Sequence, residues 1–118
     1  MADTIRFVFE LTIDKKQLDS AKGLLSAAIE DVQAKDSGVM DYEFCLNDDA
    51  TKLYAVERYK NSDAVMAHLG IVGETLAKLL ELAPMTRAEA FGNPSDEVLK
   101  ALEPFNLSVY PRWGGFTR

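Results

Sequence analysis

The chain has 118 residues, of which 47% are hydrophobic. This length suits one hydrophobic core and is short for two domains. Its 19 acidic and 13 basic side chains give a formal net charge of -6. Because the basic residues do not cluster, a phosphate backbone would be repelled, and nucleic acid is not an expected partner.

The composition also predicts where the protein works. The single cysteine, Cys45, cannot form a disulfide within the chain, which is typical of a reducing compartment. Asp3 and alternating apolar residues at the N-terminus do not resemble a secretion signal. No segment approaches the roughly 18 consecutive apolar residues of a membrane span. We therefore expect a cytoplasmic protein with no membrane partner.

The first third of the chain predicts a strand followed by a long helix. Apolar and mixed positions alternate over residues 4–13, which is the pattern of a strand with one apolar face. Asp14 suits a helix N-cap, and apolar residues recur at helical spacing from Lys15 to about Lys35. Gly38 is expected to adopt the left-handed conformation just past the end of this helix.

The middle of the chain predicts a strand hairpin. Residues 39–46 and 51–60 both alternate with a period of two, and residues 47–50 have the composition of a turn.

Two short helices and a fourth strand are expected next. Ser62 is the expected cap of a first helix that ends near Gly70, and a second helix would run over residues 72–82. Pro84 would end it, and residues 85–91 would form the strand.

The order strand, helix, strand, strand, helix, strand indicates an α+β fold of the ferredoxin-like type. Such a fold has an antiparallel sheet covered on one face by helices. Residues 1–92 would form this domain. Residues 93–118 would be an appendix of the same single domain, with a short helix over 96–102 and an extended segment over 107–113.

The sheet face opposite the helices predicts a homodimer. It mixes charged and apolar side chains, namely Arg6, Val8, Glu10, Asp41, Glu43, Cys45, Val56 and Arg58. Pairing two copies would cover this face, with the charges partnering one another. The C-terminal aromatic residues Tyr110, Trp113 and Phe116 would either cross the partner or pack on their own subunit.

Candidate site residues lie on the other face of the sheet. His68 is the only histidine, and its ordinary pKa near neutrality makes it a candidate general base. Strand parity places Glu57 and Tyr59 on the helix side. Burial would raise the proton affinity of Glu57, which could act as a base, orient His68 or form a salt bridge with Arg87. Tyr42 could donate to a substrate oxygen.

Each of these residues also has a structural interpretation. Histidines in short helices often hydrogen-bond a neighbour, aromatic residues at strand spacing often belong to the core, and methionines usually pack. Three methionines could line a flexible pocket wall rather than pack in the core, namely Met40, Met66 and Met85. One histidine and scattered carboxylates have no metal-ligand spacing, so a metal site is not expected.

The segment SGVMDYEFCLNDDATKLYAVERYKNSDAVMAHL, residues 37–69, resembles the antibiotic biosynthesis monooxygenase family of dimeric α+β barrel proteins. The matching residues are Gly38, Tyr42, Glu57, Tyr59, Ser62, Ala64 and His68. The resemblance covers residues 4–92 and implies cofactor-free oxidation of a small phenol or quinol by O2. It implies catalytic roles for His68 and Glu57. The implied substrate contacts are Tyr42, Phe44, Tyr59 and Met66.

Two other functions compete with this one. Haem-degrading relatives need an asparagine on the first strand and a tryptophan, whereas here the first strand has no asparagine and Trp113 lies in the appendix. A dimer that binds a small apolar ligand without catalysis, or that serves as an accessory protein, stays an alternative, because a fold hosts many functions.

Overall fold

The computed structural model describes residues 3–118, so Met1 and Ala2, the first residues of the predicted ferredoxin-like unit 1–92, lie outside the described residues. The helices and strands follow one another as β1 (Ile5–Thr12), α1 (Leu18–Lys35), β2 (Val39–Leu46), β3 (Lys52–Tyr59), α2 (Ser62–Leu82), β4 (Met85–Phe91), α3 (Asp96–Ala101) and β5 (Ser108–Tyr110).

The strands form one sheet in the order β2-β3-β1-β4-β5. The first four pair antiparallel, as the ferredoxin-like prediction requires, and the α+β fold class is confirmed. The fifth strand pairs parallel to β4, with Ala90 opposite Val109, so the complete sheet is mixed rather than purely antiparallel. The C-terminal segment therefore extends the sheet at its β4 edge.

The core lies between the inner face of the sheet and the helices. One cluster of buried side chains surrounds Tyr59 and includes Phe7, Val65 and Val98. A second cluster surrounds Leu11, and the partly buried Phe9 packs against both. Because every second side chain of a strand points to the same face, Phe7, Phe9 and Leu11 all point inward, and β1 contributes to both clusters along its length.

The helices differ from the prediction at their ends and in their continuity. Asp14 accepts a hydrogen bond from the Lys16 amide as predicted, but a turn of 3-10 helix precedes α1. Asn61, not Ser62, caps α2 by accepting from the Ala64 amide at 2.9 Å. The hydroxyl of Ser62 instead accepts a hydrogen bond from the backbone amide of Ser95.

The predicted break at Gly70 is also wrong, because α2 runs without interruption from Ser62 to Leu82. A glycine inside a helix costs about 1 kcal/mol relative to alanine. The buried side chains Val65, Val72 and Leu79 lie on both sides of Gly70 and hold one continuous helix against the core.

Gly38 does not have the predicted left-handed conformation, since the positive φ angles of glycines within residues 3–118 belong to Gly92 and Gly115. Its role is a close approach between β2 and α2. A Cβ atom on Gly38 would lie 2.5 Å from the Cβ of Ala64. Glycine is needed here because any side chain would collide with the first turn of α2.

The sheet has an irregularity beside this contact. Val39 pairs with Tyr59 and Asp41 pairs with Arg58, so Met40 is an extra residue in β2. Met40 is 45% exposed, whereas parity alone had placed it on the inner face.

The outer face of the sheet is open in the single chain. Val56 is 38% exposed, and Arg58 forms an ion pair of 2.7 Å with Asp41. The C-terminal residues turn back over this face, where the Thr117 hydroxyl accepts a hydrogen bond of 3.0 Å from Arg58. Trp113 is fully exposed. None of the helices in residues 3–118 has the length and hydropathy that crossing a membrane requires.

Two glycine substitutions should have opposite effects on stability. Gly38→Ala forces a methyl group against Ala64, and overpacking of this kind lowers the free energy of unfolding by about 1–3 kcal/mol. Gly70→Ala meets nothing within 4 Å and should raise it by about 0.5–1 kcal/mol. Urea unfolding of both variants measures the difference. Equal stability of the two variants would contradict the close approach at Gly38.

Candidate functional site

A cavity lies between the inner face of the sheet and the two long helices. The cavity volume is about 70 Å³, which is several times the space that one water molecule needs. Its walls are mainly apolar side chains from every layer of the core, including Phe7, Phe9, Leu11, Leu25, Ala28, Phe44, Val72, Leu76, Leu79, Met85 and Phe105. The polar lining residues are Tyr42, Glu57, Tyr59, His68 and Thr75.

His68 is held by a partner that the sequence analysis did not identify. Its Nδ1 lies 3.0 Å from a carboxylate oxygen of Asp36, and the side chains are only 6% and 3% exposed. Asp36 directly follows α1, and His68 lies in α2. A carboxylate accepts hydrogen bonds, so Nδ1 carries the proton and Nε2 keeps its lone pair.

The protonation of His68 follows from two opposing effects. Burial lowers the pKa of the imidazole, and the hydrogen bond and negative charge of Asp36 offset only part of this shift. The pKa of His68 therefore lies below its ordinary value. The ring is neutral near pH 7, which is the form that can accept a proton.

Two polar atoms of the cavity wall are free to meet a ligand. Neither Nε2 of His68 nor the hydroxyl of Tyr42 has a hydrogen-bond partner among the described residues. No fully buried side-chain nitrogen or oxygen in residues 3–118 lacks a partner, so both atoms retain accessible surface. The two rings are in contact, with centroids 5.1 Å apart. A base and a hydrogen-bond donor thus lie side by side.

Glu57 and Tyr59 form a second polar pair. The Tyr59 hydroxyl donates to Glu57 Oε1 at 2.5 Å, and both residues are buried. Burial raises the pKa of Glu57 to about 7, although the hydrogen bond from Tyr59 opposes that shift. Burial also raises the pKa of Tyr42 and Tyr59, with the charge of Glu57 adding to the effect. A large fraction of Glu57 is therefore protonated at neutral pH.

The partners suggested for Glu57 from the sequence are wrong. Arg87 lies on the outer face, opposite Glu10 in the register, and pairs with Glu89 at 3.1 Å. It cannot reach the inner face, on which Glu57 lies. Asp36, not Glu57, contacts the histidine ring nitrogen. Glu57 is therefore an acidic group of the cavity without a cationic partner among the described residues.

Most of the predicted site residues meet at the cavity. Its wall includes Tyr42, Phe44, Glu57, Tyr59 and His68. Met66 is not part of the wall and packs against the core cluster around Tyr59. It precedes His68 by two residues, which is about 200° around a helix, so the two side chains point in different directions.

The sequence analysis did not identify Thr75, which lines the cavity, or Asp36, which contacts His68 behind the wall. Thr75 follows His68 by seven residues, which is two helical turns, so helical spacing could have identified it. Asp36 lies directly after the end of α1. Its contact with His68 spans 32 residues of sequence and has no local signal. Within residues 3–118, no group of three or more His, Cys, Asp or Glu side chains is arranged to hold a metal ion.

The fold and the site together define a class of small ferredoxin-like proteins that enclose an apolar cavity with a buried histidine. The sequence profile of the antibiotic biosynthesis monooxygenase family matches residues 4–71, and the chain belongs to that family. The resemblance found from the sequence is thereby confirmed. A search of curated proteins found no match.

Solved structures share this fold. MupZ from Pseudomonas fluorescens is 22% identical, has a TM-score of 0.86, and matches over 98% of this chain and 95% of its own. A conserved protein from Methanosarcina mazei Go1 is 18% identical, with a TM-score of 0.66 over 80% of this chain and 95% of its own. Rv0793 from Mycobacterium tuberculosis is 19% identical, with a TM-score of 0.65 over 79% and 97%. The match to MupZ therefore includes most of the C-terminal segment.

Removing the charge of Asp36 should lower the pKa of His68 further. Asp36→Asn keeps the side-chain size but removes the charge that favours the imidazolium, while the burial that opposes it remains. A neighbouring opposite charge is worth about 1–3 pKa units. NMR titration resolves the shift, because the natural chain has one histidine. Asp19→Asn on the exposed side of α1 is the control, and an unchanged pKa in Asp36→Asn would contradict the pair.

Glu57 should make stability depend on pH. Its pKa is about 7 in the folded protein against a reference value of 4.5, so the folded state binds more protons between these values. The unfolding free energy of the wild type therefore loses this contribution as pH rises from about 4.5 to 7. Glu57→Gln does not titrate, so its unfolding free energy does not fall in this way. Between pH 4.5 and 7, its unfolding free energy should therefore rise by about 3 kcal/mol relative to that of the wild type.

Chemical unfolding at a series of pH values measures this difference. Glu74→Gln, a change of the same chemistry at an exposed position of α2, should show no such trend. A constant difference between Glu57→Gln and the wild type from about pH 4 to pH 8 would contradict the raised pKa.

Proposed function

We propose that the protein is a cofactor-independent monooxygenase that oxidises a small phenol or quinol with O2. The observation that carries this proposal is the buried Asp36–His68 pair, whose histidine lines a mainly apolar cavity. Membership of the antibiotic biosynthesis monooxygenase family supports the reaction type. A water-poor pocket with one base and few donors suits a substrate that supplies its own electrons.

The reaction begins with proton removal. His68 Nε2 takes the phenol proton, and Asp36 stabilises the imidazolium that forms. The Tyr42 hydroxyl donates a hydrogen bond to the phenolate oxygen. The electron-rich phenolate passes one electron to O2, which gives a phenoxyl radical and superoxide. Their recombination at a ring carbon that bears hydrogen forms a C–O bond.

The resulting peroxide then collapses to a quinone. The imidazolium of His68 first returns its proton to the peroxide, which becomes a hydroperoxide. The ring carbon then loses its proton to His68, the electron pair of that C–H bond forms the new C=O bond, and the O–O bond breaks. Protonated Glu57 supplies a proton to the departing hydroxide, which leaves as water, and the proton held by His68 then passes to the Glu57 carboxylate. The sum is one phenol and one O2 converted to one quinone and one water, with the carboxyl and imidazole returned to their starting forms.

The lining of the cavity supports a small, neutral and largely apolar substrate. The cavity wall includes no lysine or arginine, and its acidic group, Glu57, would repel an anion once ionised. Phe44 and Tyr59 offer aromatic surfaces for ring contact.

We propose that the protein works as a homodimer formed through the outer face of the sheet. The exposed Val56 lies beside the Arg58–Asp41 ion pair and opposite Glu43, which has no ion-pair partner among the described residues. A second copy of this face would bring partners to such charges, for example Arg6 to Glu43, and buried charges are tolerated when they are paired. The exposed Trp113 and Phe116 would extend the interface. A cytoplasmic location is proposed with it, since the exposed Cys45 suits a reducing compartment.

Oxygen consumption tests the enzyme directly. The wild type should consume O2 with a panel of small quinols and phenols in the presence of a metal chelator. His68→Asn keeps a donor for Asp36 but lacks the basic Nε2, so it should lose about 100-fold in rate. Lys78→Ala, an exposed change on the same helix, should behave as the wild type.

Two outcomes would contradict the oxygenase. One is no uptake by the wild type with any member of the panel; binding of the same phenols, followed by calorimetry, would then favour a ligand-binding protein. The other is uptake that His68→Asn and Glu57→Gln both leave unchanged, since this would place the chemistry elsewhere.

A further inference from the structure

The free polar atoms of the cavity define a geometry that does not depend on oxygen. Nε2 of His68 is a lone-pair acceptor and the Tyr42 hydroxyl is a donor, and neither has a partner among the described residues. Both residues line the same cavity, and their rings are in contact with centroids 5.1 Å apart, so a small molecule in the cavity lies against both residues. The surrounding wall is apolar. A ligand that fits must offer a weakly acidic hydrogen to one atom and an oxygen to the other.

We propose that this site also catalyses the enolisation of small neutral ketones in the absence of O2, and thereby the migration of a carbon–carbon double bond in an unsaturated ketone. The inference rests on the same His68 that the proposed oxygenase uses. It adds a redox-neutral reaction and a second class of substrate, in which the acidic hydrogen is on carbon rather than on oxygen.

The proton and electron movements balance without a co-reactant. His68 Nε2 removes a hydrogen from the carbon next to the carbonyl, as a proton. The electron pair of that C–H bond becomes a C=C bond, and the π pair of the carbonyl moves to its oxygen. Tyr42 donates a hydrogen bond to this enolate oxygen. His68 then returns the proton to the same carbon, or to the far end of a conjugated double bond, and nothing is oxidised or reduced.

The groups have the right protonation states at the same pH. His68 is neutral because burial lowers its pKa, and Tyr42 stays protonated because burial raises its pKa. A base and a donor therefore coexist near neutrality. Preorganised donors aimed at a developing oxyanion are worth most in a site that excludes water.

The second polar pair strengthens this assignment. Tyr42 and Glu57 are opposite each other on β2 and β3, and the ring of Tyr59 contacts the ring of His68 at 5.2 Å between centroids. A protonated Glu57 places a further acidic hydrogen at the same end of the cavity. Carboxylic acids that burial keeps neutral can serve as donors to an enolate oxygen.

Hydrogen exchange of β-tetralone, a small neutral ketone, tests the proposal. The intact protein is incubated with the ketone in D2O under nitrogen, and NMR follows the loss of the hydrogens next to the carbonyl. The wild type should exchange them at least about 100-fold faster than His68→Asn, and Tyr42→Phe should slow exchange about tenfold or more. Lys78→Ala is the matched control and should keep the wild-type rate.

Two results would overturn the inference. One is wild-type exchange no faster than in buffer alone, and the other is accelerated exchange that both His68→Asn and Tyr42→Phe retain. Thermal melting of each variant establishes that a lost rate is not lost folding. Parallel oxygen uptake with quinols separates the two reactions. Exchange without oxygen uptake supports this inference and contradicts the oxygenase, whereas uptake without exchange overturns this inference alone.

Discussion

The hydrogen bond between Asp36 and His68 is the interaction on which the site depends. Both side chains are almost fully removed from water, and each satisfies the other at 3.0 Å. A buried polar group left without a partner costs about 1–3 kcal/mol, so the end of α1 and the second turn of α2 must keep their relative position. The contact of Gly38 with Ala64 fixes the start of β2 at the same junction. Two helices and a strand are thus held together where the cavity wall begins.

This junction determines the electrostatics of the cavity. Burial shifts the pKa of Glu57 upward and the pKa of His68 downward, so the neutral forms of both groups are favoured near pH 7. Two titratable groups that one apolar environment shifts in opposite directions can act as acid and base together. Tyr59 connects them, since its hydroxyl donates to Glu57 and its ring contacts His68. The cavity wall therefore includes a proton acceptor, His68, and a proton donor, Glu57.

Local patterns predicted much of this arrangement. The alternation of β1, β2 and β3 is a short-range signal, and it placed Tyr42, Glu57 and Tyr59 on the inner face. The start of α2 was harder to predict, because Asn61 and Ser62 are both good N-cap residues. Its continuity was also harder to predict, because tertiary packing outweighs the helix-destabilising effect of Gly70. Met66 does not line the cavity, because its position two residues before His68 directs its side chain to another side of the helix. The hydrogen bond of Asp36 could not be predicted, because His68 lies 32 residues away and no local sequence pattern indicates the contact.

The register of β3 joins the site to the outer face. Glu57 and Tyr59 point inward, while Val56 and Arg58 point outward, where Arg58 pairs with Asp41. A slip of one residue would bring the guanidinium of Arg58 into the cavity and expel the carboxyl of Glu57, because a strand has a period of two. The Arg58–Asp41 ion pair, which crosses from β3 to β2, therefore favours the register that keeps Glu57 on the inner face.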